Sequence, residues 1–238
     1  DATGNLQAEY RFNRYGMTFD AGRNFGNWGE LRAGYQFERG DAEVRVGDPA
    51  LNQLEFDSGR LFVKLSVDTL DNAHFPQKGY GAGLEYRTHR DSLGGDDEFD
   101  QVLFNLGAAK SWGRNTLITT MRYNTTLDDN APIYGRFNAG GFFRLSGFNQ
   151  RELSGQHFAI VKAAYLRKIS SSALLTTYLG ASLEYGGVSQ DSNDLFDNFV
   201  TAGSIFLGLD TAIGPIYFAV GHAEGGHSSI YLQFGKLF

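Results

Sequence analysis

Hydrophobic and polar residues alternate along most of this chain, and the alternation is clearest over residues 228–238. A strand there would carry mainly apolar side chains on one face and a mixed set on the other. The apolar face consists of Ile230, Leu232, Phe234 and Phe238, and the mixed face of Tyr231, Gln233 and Gly235. This period of two predicts a β-strand that ends at the last residue. A terminal strand of this kind is typical of outer-membrane barrels, so we assign Tyr231, Phe234 and Phe238 to a C-terminal assembly signal.

Similar alternating segments recur upstream, with turn residues between them. They lie at residues 215–221, 203–210, 174–184, 157–167, 115–124, 102–110, 79–87, 60–68, 42–46, 28–37, 14–22 and 5–12. Counted from residue 14, the chain has about twelve strands, and the segment at 5–12 would be a thirteenth. Many segments reach the ~9–11 residues of a tilted membrane-spanning strand, whereas globular strands average ~5–6. The pattern predicts an all-β, transmembrane antiparallel β-barrel, with a soluble all-β sandwich or barrel as the alternative.

The connections alternate in length. Short ones are predicted at 12–14, 38–41, 112–115, 169–172 and 211–215, and long or polar ones at 47–54, 91–99, 125–156 and 187–198. Bacterial outer-membrane barrels have short periplasmic turns and longer external loops. A periplasmic C-terminus and an even strand number also require a periplasmic N-terminus, which twelve strands satisfy and thirteen do not. The connection at 69–77 should be periplasmic but is not short.

The connection at residues 125–156 is far longer than the others. Structureless loops of more than ~12–15 residues are usually functional or disordered. This one is rich in aromatic residues and glycines, among them Tyr134, Phe137, Phe142, Phe143 and Phe148. These side chains need a surface to pack against, which the lumen wall of a barrel would provide. We expect the loop to fold into the lumen; an external flap or a dimer contact is the alternative.

Composition limits the functional classes. The 238 residues include 31 glycines, 20 phenylalanines and 12 tyrosines, but no cysteine, so a disulfide framework and a thiolate metal site are excluded. Mean hydropathy is −0.31, as expected if only alternate residues face lipid. A net charge of −6 argues against a nucleic-acid partner. The chain starts at Asp1 without an initiator Met, so we expect it to be processed or a fragment.

Catalytic motifs are missing. The sequence has no G-x-S-x-G element, and its nearest look-alike, around Ser182, lies in a predicted strand and lacks the second glycine. The five histidines have no helical zinc spacing. We therefore expect no catalytic residue, no metal and no cofactor in this chain.

Three segments resemble a known family. The loop segment at residues 140–148 is similar to the inward-folded loop of the bacterial surface antigen superfamily, which includes BamA, TamA and FhaC. Its motif residues are Gly140, Gly141, Arg144, Leu145, Ser146, Gly147 and Phe148. Residues 68–79 resemble the superfamily's long periplasmic hairpin, with the motif residues Asp68, Asp71, Pro76 and Gly79. Residues 214–238 resemble its last two strands.

One subgroup is closer than the others. Leu145-Ser146-Gly147-Phe148, followed by residues 152–157, resembles type Vd autotransporters, the patatin-like phospholipases of the PlpD kind, and so does the stretch at 15–32. The resemblance implies an outer-membrane barrel domain over residues 1–238 of a Gram-negative bacterium. Such a domain would secrete or display its own N-terminal lipase passenger. An assembly and insertion factor of the BamA or TamA type, or a plain pore, is the alternative.

The resemblance also implies partners and a fuller barrel. Family barrels usually have sixteen strands, so the first three or four would be missing here. The implied partners are the passenger, a periplasmic POTRA module, the barrel assembly machinery, and outer-membrane lipid and lipopolysaccharide. Homodimerisation or strand donation from another copy would complete an open sheet.

The loop tip departs from the superfamily pattern at one position. An arginine usually occupies the position of Ser146 and pairs with an aspartate on the second strand after the loop. In this sequence the nearest arginine is Arg144, and the acidic position corresponds to Glu184. We hypothesise that Arg144 or Ser146 anchors the loop to Glu184.

Overall fold

The protein is described from a computed structural model, which covers residues 9–46, 54–172 and 175–235. Its strands are β1 (Glu9–Phe25), β2 (Gly29–Val46), β3 (Leu54–Asp68), β4 (Lys78–His89), β5 (Phe99–Trp112), β6 (Asn115–Thr126), β7 (Phe137–Ala139), β8 (Leu153–Gly155), β9 (His157–Ser171), β10 (Leu175–Ser189), β11 (Val200–Thr211), β12 (Gly214–Ala223) and β13 (His227–Phe234). A 3₁₀ turn, Asp91–Leu93, is the one helical element of the described residues. Within these ranges, no helix has the length and apolar character needed to cross a bilayer.

In the described ranges, eleven strands form one antiparallel sheet in the order β1-β2-β3-β4-β5-β6-β9-β10-β11-β12-β13, and β7 pairs with β8. Each strand of the large sheet pairs with its neighbour in the chain, except that the β7–β8 loop intervenes between β6 and β9. Across the described ranges, β1 and β13 do not pair with each other, and they form the two edges. The predicted all-β antiparallel barrel fold is confirmed.

About twelve strands were predicted, and the described residues form thirteen, eleven of them in the large sheet, but two of the predicted turns are wrong. Residues 12–14 and 38–41 are not turns but lie inside β1 and β2, so that the segment at 42–46 continues the one at 28–37. Asn13 lies opposite Asp41, and its Nδ2 donates a 2.9 Å hydrogen bond to Asp41 Oδ2. Polar residues in the middle of a strand, when they pair with polar residues of the neighbouring strand, thus look like turn residues in the sequence. With eleven strands, β1 begins at the end of the sheet opposite to the end where β13 stops.

Most of the short connections lie at one end of the sheet and most of the long ones at the other. We call one the turn end, where the connections are residues 26–28, 69–77, 113–114 and 212–213. We call the other the loop end, where they are residues 90–98, 127–156, 190–199 and 224–226. The hairpin at 69–77 is therefore the long member of the turn end, as its position in the sequence predicted.

The two faces of the sheet differ in chemistry. On β3, Leu61, Val63 and Leu65 are exposed on the outer face, whereas Arg60 and Lys64 lie on the inner face. β13 alternates in the same way over its described residues, and the predicted Phe238 lies outside them. An apolar outer face with a polar inner face is the pattern of a membrane barrel.

The sheet curves around the loop at 127–156. This loop contacts both edge strands from the inner face: Arg14 of β1 donates to Tyr134 O at 2.9 Å, and Gly147 N donates to Tyr231 Oη of β13 at 2.7 Å. Loop residues also supply much of the buried core, including Phe142, Phe143 and Leu145. The candidate site therefore lies on the concave side of the sheet.

Candidate functional site

The loop has a built stem. β7 and β8 pair in an antiparallel register that places Phe137 opposite Gly155 and Ala139 opposite Leu153. The base is closed by buried Gln156, whose side-chain amide accepts from Ala131 N at 3.1 Å and donates to Ala131 O at 2.8 Å. The first two residues of the predicted loop, 125 and 126, belong to β6.

Tyr134 fastens the base of the loop to the wall. Its ring stacks on Phe56 of β3 with centroids 3.9 Å apart, and its hydroxyl donates to Asp97 at 2.7 Å. Burial, and secondly the hydrogen bond to Asp97, raise the pKa of the Tyr134 phenol, so this donor keeps its proton. The base is therefore held by stacking and hydrogen bonding together.

The tip of the loop, residues 140–148, has an unusual backbone. Gly140, Gly141 and Gly147 have φ angles of 101°, 104° and 126°. Phe143 and Leu145 also have positive φ, at 62° and 74°, which is costly for bulky residues. Such a conformation persists only if the surroundings fix it, and the contacts of the tip provide this.

Glu184 of β10 is the acceptor that fixes the tip. Its Oε2 accepts hydrogen bonds from Leu145 N (2.8 Å) and Ser146 N (2.9 Å). Its Oε1 accepts from Ser146 Oγ (2.6 Å) and Ser182 Oγ (2.8 Å). Glu184 and Ser146 are both 0% exposed. A buried carboxylate is costly unless it is hydrogen-bonded, and charge-assisted bonds of this kind contribute ~1.5–3 kcal/mol each.

The structure brings Ser146, not Arg144, to Glu184. Arg144 Nη2 donates instead to Asn138 O at 2.6 Å, and the guanidinium lies 5.5 Å from the centroid of the Phe158 ring. Its contacts thus stabilise the loop stem. Of the two residues proposed to anchor the loop, Ser146 contacts Glu184 and Arg144 does not.

The tip also packs against the last two strands. Tyr231 Oη accepts from Gly147 N and donates to Phe148 O, both at 2.7 Å. A Cβ at Gly221 of β12 would lie 2.8 Å from Ser146 Cβ, so only glycine allows this approach. Of the predicted assembly-signal residues, Tyr231 contacts the loop, Phe234 is exposed on the outer face, and Phe238 lies outside the described residues.

An aromatic core continues from the tip to the turn end. Phe142 and Phe143 stack at 4.1 Å, and both contact Phe206 of β11. Phe142 also lies 5.8 Å from the Tyr217 ring, which in turn packs against Phe75 of the 69–77 hairpin at 5.3 Å. Loop and hairpin therefore belong to one buried cluster on the inner face.

The predicted hairpin motif has a structural explanation. Asp71 Oδ1 accepts from the backbone N of Gln77 and Lys78 at 2.8 and 3.1 Å, and Asp68 Oδ1 accepts from Leu70 N at 2.9 Å. The four motif residues are placed as follows: Asp68 ends β3, Asp71 bridges the hairpin, Pro76 is buried, and Gly79 has a φ of 110°. Burial raises the pKa of the Asp71 carboxyl, but the backbone hydrogen bonds outweigh it and the pKa is lowered.

One inner-face residue near the anchor was missed in the sequence. Lys162 of β9 is the cross-strand partner of Glu184 and is buried. Its Nζ lies 4.6 Å from the centroid of the Phe143 ring and 3.5 Å from Phe143 O. The alternation pattern could have revealed it, because Lys162 occupies an inward-facing position of its predicted strand.

The arrangement holds a loop in place: the tip is bound to Glu184, and the stem ends at His157, whose ring nitrogens contact Thr125 Oγ1 at 2.7 Å and Asp129 Oδ1 at 2.5 Å. Among the residues that the structure describes, no group of three or more His, Cys, Asp or Glu is placed to hold a metal ion.

Comparisons with known proteins identify the family and the fold. The model of the Omp85 superfamily domain matches residues 2–238. A crystal structure of BamA from Haemophilus ducreyi lacking POTRA domains 1–3 is similar, with a TM-score of 0.73 and 14% sequence identity. The match covers 94% of this chain and 54% of that chain, so the chain spans about half the length of the BamA structure. No curated protein matches the sequence.

Proposed function

The chain belongs to the Omp85 superfamily, and from this premise we propose that it is an outer-membrane barrel domain that brings a polypeptide across or onto the membrane. The family and the barrel fold imply the outer membrane of a Gram-negative bacterium. More specifically, we propose that residues 1–238 are the barrel domain of a patatin-like phospholipase autotransporter. Its passenger is then its own N-terminal lipase, which it secretes or displays.

The observation that carries the proposal is the loop tip bound to Glu184. A steadily conducting pore has no need for a buried loop that is held by a carboxylate with four donors. A barrel that must stay closed except during transport does need one. Passage then requires displacement of residues 127–156 or opening of the seam between the edge strands.

The autotransporter form is supported by the chemistry of the tip. Ser146 takes the position where the superfamily pattern has an arginine, and its hydroxyl lies 2.6 Å from Glu184. Together with Leu145, Gly147 and Phe148 this is the form that resembles type Vd autotransporters. The partners proposed with it are a POTRA module, the barrel assembly machinery, and outer-membrane lipid and lipopolysaccharide. A second copy of the chain is a further proposed partner at the sheet edges.

A second candidate is an assembly and insertion factor of the BamA type. The unpaired edges of β1 and β13 in the described residues favour it, because exposed strand edges accept further strands. In that case the client is another barrel protein rather than a passenger in the same chain.

The test is surface display in a Gram-negative host that expresses the full-length protein. We expect the region upstream of the barrel to become accessible to external protease, and Glu184→Gln to change the accessible fraction. Glu30→Gln is the control, since Glu30 is an inner-face carboxylate that pairs with Lys64 and Arg32, away from the loop. If the upstream region stays protected while depletion of the protein lowers the amount of other outer-membrane barrels, the insertion factor is correct.

A further inference from the structure

A polar cavity of about 150 Å³ lies beneath the base of the loop, away from the Glu184 anchor. Its walls come from the inner faces of β1 to β5 and from residues 134–137. The lining is strongly basic, and the charged or titratable residues are Arg14, Arg60, Arg87, Arg136, Glu38, His89 and Tyr134. Such a concentration of guanidinium groups on one cavity calls for a compensating anion.

The charge balance of the cavity leaves it positive. Arg87 is neutralised by Glu85, since its Nε lies 2.5 Å from Glu85 Oε1. Among the described residues, Arg14, Arg60 and Arg136 have no carboxylate within 4 Å. Glu38 is the one acidic residue of the lining. Three unneutralised arginines against one glutamate give a net charge of +2, which a dianion would balance.

Buried polar atoms at the cavity lack partners. Within the described residues, Arg60 Nε, Arg136 Nε and His89 Nδ1 are buried and make no hydrogen bond. His89 is only 2% exposed. Buried unsatisfied polar groups are rare, and each needs an explanation such as a ligand. A bound oxyanion would supply acceptors to both arginines and would place the imidazole proton of His89 on Nδ1.

The lining is positioned by other contacts. Arg60 Nη2 donates to Gln36 Oε1 at 2.6 Å, and Arg14 Nη2 donates to Tyr134 O at 2.9 Å. His89 stacks on Phe99 with centroids 3.9 Å apart. These contacts fix the side chains without using the unpartnered atoms, so the cavity is organised before a ligand enters.

From these observations we propose that the cavity binds a phosphate group. Its donors come from β3, β4 and the loop, in different directions, and a tetrahedral oxyanion accepts hydrogen bonds in more than one plane. The phosphate is either free inorganic phosphate or the phosphate of a lipopolysaccharide head group. In both cases it bridges Arg136 of the loop to Arg60 of the wall, so occupancy stabilises the docked loop.

The first test is calorimetric titration of the folded full-length protein in detergent with inorganic phosphate, at constant ionic strength set with chloride. We expect saturable binding, weakened roughly tenfold or more by Arg60→Gln and by Arg136→Gln. Arg32→Gln is the control, because Arg32 is an inner-face arginine that pairs with Asp20 outside the cavity. Arg136 lies in the loop, so Arg136→Gln carries the test if Arg60→Gln does not fold.

The second test separates the two sources. The protein is reconstituted in phosphatidylcholine vesicles that contain either diphosphoryl or dephosphorylated lipid A, and each sample is titrated with phosphate. Loss of phosphate binding only with diphosphoryl lipid A identifies the lipid head group as the ligand, and equal binding in both identifies free phosphate. The proposal is overturned if phosphate does not bind saturably, if Arg32→Gln weakens binding as much as the cavity variants, or if acetate binds as well as phosphate.

Discussion

Ser146 Oγ donates a 2.6 Å hydrogen bond to Glu184 Oε1, and this contact joins the tip of the loop to the wall of the barrel. The same hydroxyl oxygen accepts from Phe143 N at 3.1 Å, so Ser146 orders the tip while it binds the wall. A neutral hydroxyl is sufficient to bind Glu184, because two backbone N–H groups also donate to the carboxylate. In addition, Lys162 is the cross-strand neighbour of Glu184.

Weakening the anchor should loosen the tip. In Glu184→Gln, the side chain loses its charge and one of its two acceptor oxygens becomes an NH₂ group, which cannot accept a hydrogen bond. In Ser146→Ala, one charge-assisted bond is lost, at a cost of ~1.5–3 kcal/mol. We expect faster amide hydrogen exchange over residues 140–148 in both variants. Ser154→Ala, an exposed serine of the same loop, is the control; equal protection in all four proteins would contradict the anchor.

Arg144 should not be coupled to Glu184. Its guanidinium bonds to Asn138 O, so a double-mutant cycle with Arg144→Gln and Glu184→Gln should give a coupling energy near zero. The cycle of Ser146→Ala with Glu184→Gln should give a clearly larger coupling, since these residues are in contact. Thermal unfolding of the folded barrel measures both cycles. A strong Arg144–Glu184 coupling would instead support Arg144 as the anchor of the loop.

Gly221 should not tolerate a side chain. A Cβ there would lie 2.8 Å from Ser146 Cβ, so Gly221→Ala must push the tip away from β12. We expect increased protease cleavage within residues 140–148 in this variant. Gly81→Ala is the matched control, because a Cβ at Gly81 on the inner face of β4 meets its nearest atom at 3.5 Å. Identical cleavage of both variants would contradict the close approach.

The hairpin at the turn end should weaken in acid through Asp71. Its pKa is lower in the folded protein than in the unfolded chain, because the backbone N of Gln77 and Lys78 bond to the carboxylate and outweigh burial. The stabilisation is therefore complete above the ordinary carboxyl pKa and is lost as the pH falls through the lowered pKa. Hydrogen exchange of the Gln77 and Lys78 amides should follow this pH dependence in the native protein. In Asp71→Asn the dependence should disappear, and its persistence would assign it to another group.

Much of the fold could be predicted from period-two alternation, because a barrel wall exposes one face of each strand to lipid. The strand at 60–68 and the terminal strand were identified in this way, although β13 ends at Phe234, before Gly235, which has a φ of 99°. Residues 12–14 and 38–41 were wrongly predicted to be turns, because polar residues in the middle of a strand can pair with polar residues of the neighbouring strand. A single sequence does not reveal that Asn13 faces Asp41, since this depends on the register.

The site could be predicted only in part, and for the same reason. Ser146 and Glu184 were found by resemblance, but their hydrogen bonds depend on how the backbone turns at Phe143 and Leu145. The basic cavity was missed because Arg60, His89 and Arg136 are far apart in the chain, and only the curved sheet brings them together.

The central claim is that the loop tip held by Glu184 blocks the lumen of the barrel. Electrical conductance across a planar bilayer tests this claim most directly. Full-length protein is compared with Glu184→Gln and Ser146→Ala, after heat-modifiable mobility shows that each is folded. The anchor predicts low, quiet conductance for the native protein and frequent large opening events for both variants. Folded variants that conduct like the native protein would contradict it.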